Sequence, residues 1–184
     1  MDKSKSFQLK IVNIAGGILL ISLAYNLLGL YKIEHYFITA ATLIMLIHIW
    51  VGANFYIRYI GYIKNLFELL IDAFGMVLLL VAIFSLDKIV RWFIIFGTFF
   101  SLVMIKYLMS MPKTKDKDAK KYIATKIKAE SPSIILFYFG AVLGAVLDYQ
   151  WIPKFLSIAV FIAQIPFIYW LVFKKKIYQV KLSS

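Results

Sequence analysis

The sequence predicts an all-α, polytopic membrane protein: six transmembrane helices arranged as three antiparallel hairpins, with both termini cytoplasmic. Three observations predict it. Of 184 residues, 62% are hydrophobic and only 16% charged, with a mean hydropathy of +0.84. A soluble domain is about 45–50% apolar and about 25% charged, and cannot hide this much apolar surface. The apolar residues also gather into segments long enough, or nearly so, to cross a hydrocarbon core of about 30 Å at about 1.5 Å per residue. Finally, the basic residues are distributed unevenly between the two sides those segments define.

The predicted spans cover residues 9–31, 36–59, 66–86, 89–109, 132–147 and 152–173, and residues 1–184 form one domain. The first carries Gly16-Gly17, and Asn13 interrupts its start. Lys3, Lys5 and Lys10 precede it, and Ser22-Leu23-Ala24 offers a signal-peptidase pattern. Because the apolar run continues to Leu30, the span is expected to be retained. The second holds His48 near midplane and Asn54 and Arg58 nearer its end. The third has Glu68 and Asp72 in its opening turns. The fourth runs between Arg91 and Lys106, too few arginines for a voltage-sensing ladder. The fifth is predicted to open at Ser131-Pro132, an N-cap followed by a proline at the first helical position. Its Gly140 and Gly144 form a GxxxG face that lets helix backbones approach closely. Ala159 and Ala163 on the sixth span offer a matching small-residue face, while Pro166 beside Gln164 kinks that span.

Of the 21 lysines and arginines, only Lys32, Lys88, Arg91 and Lys154 fall on the other side from the N-terminus, the second loop, the long loop and the tail. The positive-inside rule places that majority, and both termini, in the cytoplasm of a cell-membrane protein. It also accounts for the net charge of +12 without nucleic acid. Within the long basic loop, residues 110–131, Ala119, Ile123 and Ile127 recur every fourth residue with lysines on the other faces. This predicts an amphipathic helix lying on anionic lipid head groups, with Lys113, Lys115, Lys117, Lys120, Lys121, Lys126 and Lys128 towards them.

Depth arithmetic brings the polar residues together. In an antiparallel pair, residues equidistant from the turn lie level. A turn near Ile63 sets Arg58 level with Glu68 and Asn54 level with Asp72. One at Asp87 sets Lys106 level with Glu68, and one near Ile33 sets Asn13 near Asn54. The expected result is a polar layer of Asn13, Asn54, Arg58, Glu68, Asp72 and Lys106 in the cytoplasmic half. Arg58 and Lys106 would compensate Glu68. Asp72 lies about two turns inside its span, where a carboxylate costs about 2.5–3.5 kcal/mol and requires a partner or water. His48 lies on another face, level with Gln164.

There is no cysteine, GxSxG, HExxH, P-loop or metal-ligand spacing, so neither enzyme chemistry nor a cofactor is expected. Asp72 and His48 differ in depth, which counts against a lipid-modifying enzyme. Two readings stay open. One is a small transporter or channel subunit for a small cation or solute, with a polar path between spans 2 and 3. The other is a structural or interaction protein whose basic loop docks anionic lipid or a partner. Either reading allows a homo-oligomer or another membrane partner.

Overall fold

The computed structural model describes residues 3–29, 33–57, 66–146 and 155, and over these it is all-α. Five helices follow in order: α1 (Lys3–Leu28), α2 (Ile33–Phe55), α3 (Leu66–Ile83), α4 (Ile89–Ser110) and α5 (Lys117–Val146). The stretches Ser6–Leu28, Ile38–Phe55, Ile89–Ser110 and Ala119–Val146 are long and apolar enough to cross a membrane. The chain is thus a candidate multi-pass membrane protein. Apart from Phe155, the sixth predicted span lies outside the described residues.

Each helix has a core face and a second apolar face turned outwards. On α1 the most exposed apolar side chains include Phe7, Ile11, Ile14, Ile18, Ile21, Tyr25 and Leu28. Their alternating steps of four and three residues follow one side of a helix. On α3, Phe67, Leu70, Phe74, Val77 and Val81 do the same. Such stripes are strongly unfavourable in water, whereas lipid tails are as apolar as the side chains themselves.

The helices pack α2 on α1, α1 on α3, α3 on α4 and α4 on α5. The densest part of the core lies between α4 and α5. Phe137 of α5 sits 5.5 Å from the Phe100 ring and 5.9 Å from those of Trp92, Phe93 and Phe96. Two glycines permit this closeness. A Cβ added at Gly140 would lie 2.9 Å from the Phe93 ring, and one at Gly97 would lie 3.2 Å from Tyr138. Polar groups in this region are satisfied locally. The Trp92 indole donates to Thr42 Oγ1 at 2.9 Å, and that hydroxyl donates to the Ile38 carbonyl at 2.7 Å. The Asn26 amide of α1 donates to the Ile83 carbonyl at the end of α3, where a helix lacks its own donor.

α5 departs from expectation. Residues 117–131 do not form a separate surface helix; they are the first half of one 30-residue helix that runs through Pro132. Asp116 Oδ1 caps its start by accepting from the Ala119 N–H at 3.1 Å. Ala119 and Ile123, expected on the lipid surface, are buried, and Ile123 packs with Tyr56, Tyr107 and Tyr122. Proline inside a helix forfeits a backbone bond and costs about 3 kcal/mol. The helix nonetheless continues past Pro132, with buried aromatic residues on both sides of it, Tyr122 and Phe137.

Candidate functional site

All five helices border a cavity of about 790 Å³. Its walls are mainly aliphatic and aromatic, contributed by residues such as Leu19, Leu46, Met76, Leu79 and Phe99. Ionisable side chains enter it at two places.

The first joins α3, α4 and the end of α2. Lys106 Nζ donates to both oxygens of Asp72 at 2.6 Å, and the same ammonium lies 4.6 Å from the centre of the Tyr56 ring. Ser110 Oγ donates to the Lys106 carbonyl at 2.8 Å, so its hydroxyl accepts from Tyr56 and fixes the ring. The Asp72 side chain remains 40% exposed while that of Lys106 is 12% exposed. The carboxylate therefore stays open on the cavity wall as the lysine is drawn in.

Lys106 thus pairs with Asp72, not with Glu68, and the reason is side-chain direction. Gly75 faces Phe99, which is the register expected from a turn at Asp87. Side chains lean towards the N-terminus of their own helix. In this antiparallel pair Lys106 leans into the bundle and Asp72 leans back to meet it, a shift of one turn. Glu68, buried, is 3.5 Å from Lys113 instead.

Asn54 meets one of its two expected partners, Asn13, and makes no hydrogen bond to the other, Asp72, among the described residues. Because α3 packs on α1 and α4, the Asn54 amide turns to α1 and bonds Asn13 Oδ1 at 3.4 Å and its own helix at the Trp50 carbonyl at 2.9 Å. The Trp50 indole donates to Asn13 Oδ1 at 3.0 Å. Gly16 makes room for that indole, since an added Cβ would lie 3.0 Å from it. Arg58 lies outside the described residues.

The second place joins α2 and α5. Lys126 was expected on the lipid surface but is 2% exposed. Its Nζ lies 2.6 Å from His48 Nε2 and 3.1 Å from Glu130 Oε1, one helical turn away. With Lys126 as an ammonium, which has protons to give and no lone pair, His48 Nε2 is assigned as the acceptor and Nδ1 as the protonated nitrogen. In that assignment the cluster of neutral imidazole, ammonium and carboxylate carries no net charge, which keeps the cost of burying it down. Glu130 Oε2 is buried without a hydrogen-bond partner among the described residues. Gln164, expected beside His48, lies outside those residues.

Sequence reasoning missed Glu130 because it stands just before the apolar run. Its i,i+4 spacing from Lys126 was the available signal. Of the other basic-run lysines, Lys113, Lys115, Lys117, Lys120, Lys121 and Lys128 are exposed. Gly140 contacts Phe93 of α4 and Gly144 is half-buried, while Ala159 and Ala163 lie outside the described residues. The chain matches no family model, no curated protein and no solved structure.

Proposed function

We propose that the chain is a small integral membrane transporter or channel subunit, with cytoplasmic termini, whose cavity takes a small cation or solute. The observation that carries this reading is the cavity itself. At about 790 Å³ it falls within the about 300–1,000 Å³ typical of small-molecule sites, and its apolar walls converge on a few charged groups. Ionisable residues in a membrane bundle are costly, and they concentrate where substrates or ions pass.

A narrow substitution tests the reading. Gly17 lines the cavity and an added Cβ there meets nothing within 4 Å. Gly17→Phe is therefore expected to add bulk on the cavity wall with no clash at its Cβ, which an unchanged unfolding temperature checks. In proteoliposomes, a panel of inorganic and organic cations is expected to include at least one that wild-type protein conducts and Gly17→Phe does not. Flux indistinguishable from empty vesicles for every cation would sink the proposal.

A second reading rests on the salt bridge that occupies Asp72. If Lys106–Asp72 and Lys126–His48 serve only to tie helices together, Asp72→Asn lowers the unfolding temperature and alters no flux. The protein is then a structural or interaction component of the membrane.

A further inference from the structure

The apolar walls and the Asp72 corner narrow the class of solute, on the reading that the cavity admits one. We infer that this corner recognises an organic ammonium with an apolar body, and that the Lys106 side chain is its tethered competitor. The Lys106 ammonium shows which chemistry fits: two carboxylate oxygens at 2.6 Å and an aromatic face 4.6 Å from the charge. An aromatic face within about 6 Å of a cation attracts it, a recurring element of ammonium recognition, and a carboxylate adds charge-assisted hydrogen bonds. The ring is held in place by the Tyr56–Ser110 hydrogen bond, so the face exists before anything binds.

Access and selectivity follow from burial. Asp72 keeps 40% of its side chain exposed on the cavity wall, so an incoming cation can approach the carboxylate before Lys106 leaves it. The Lys126–Glu130 pair borders the same cavity, but its side chains are only 3% and 7% exposed, so it offers no comparable approach. Inorganic cations such as Ca²⁺ require about 6–8 oxygen ligands. The walls around Asp72 are instead built from groups such as Ala73, Met76 and Leu79, which suit a hydrocarbon body. When a solute ammonium takes the carboxylate, the flexible Lys106 stem withdraws, and its return expels the solute. Wild-type affinity is therefore low by construction.

The test is calorimetric titration of the full chain in lipid nanodiscs with three probes of similar shape: 2-phenylethylammonium, neutral 2-phenylethanol and anionic 3-phenylpropanoate. In Lys106→Met the ammonium is expected to bind at least about tenfold more tightly than in wild type, and more tightly than either other probe. Asp72→Asn/Lys106→Met leaves no unpaired charge to compromise folding, and is expected to bind the ammonium no better than the alcohol. Gly17→Phe is expected to exclude all three. If the ammonium and the alcohol bind Lys106→Met equally and Gly17→Phe removes both, the ammonium inference falls while the cavity reading stands. If no probe binds any variant and no cation is conducted, both fall.

Discussion

Lys126 illustrates what a lysine inside an apolar wall requires. It hydrogen-bonds His48 across a helix interface and Glu130 one turn along its own. Removing one member leaves the others uncompensated, which typically costs about 3–5 kcal/mol, whereas an apolar replacement for the whole pair is often neutral or stabilising. Lys126→Met is therefore expected to destabilise the protein by about 3–5 kcal/mol, and Lys126→Met/Glu130→Leu to restore wild-type stability, both read from detergent-unfolding titrations. A double variant as unstable as the single one would show that the pair has a role other than mutual neutralisation. At this scale the sequence was legible in part. The Asn13–Asn54 contact follows from helix spacing alone, and the same spacing puts Lys106 in the polar layer. Its partner was misassigned because level backbones do not imply level head groups. Lys126 was hidden because a lysine four residues from a glutamate reads the same on a solvated surface and in a sealed wall.

At the scale of the element, α5 is held by close approach at one end and interrupted by proline at its middle. Gly140→Ala drives a methyl group to 2.9 Å from the fully buried Phe93 ring. Overpacking of this kind costs about 1–3 kcal/mol, so the melting temperature should fall. Pro132→Ala works in the opposite sense. It restores a donor to the Lys128 carbonyl in a helix that already continues past position 132, so stability should rise, by up to about 3 kcal/mol. A drop on that substitution would mean that the proline sets a bend the packing needs. Helix type and the period of residues 119–127 were readable from the sequence, but the boundary was not. Ser131-Pro132 has the composition of a helix start, and only tertiary packing against α4 overrides it.

For the whole molecule, orientation is the quantity that composition predicts most directly. The chain has no cysteine, so single-cysteine variants report without background. Asp87 is exposed in the turn before α4 and Lys115 in the turn before α5. With impermeant maleimide, Asp87→Cys is expected to label in intact cells and Lys115→Cys only after permeabilisation. The reverse pattern would overturn the cytoplasmic assignment of the termini. Composition alone made the all-α class and the membrane-long helices legible. The order of packing was not, since α3 packs on α1 as well as α4 and a chain of apolar helices carries little information about which faces meet.

The continuity of α5 also bears on the order in which the chain can be assembled. A segment containing Lys126 and Glu130 is a poor candidate for partitioning into lipid by itself. The imidazole that accepts from Lys126 belongs to α2 and the aromatic wall that receives Phe137 belongs to α4, both of which leave the ribosome earlier. The amino half of α5 thus enters a berth that is already built. Synthesis from N- to C-terminus is the direction that spares the lysine a solitary crossing.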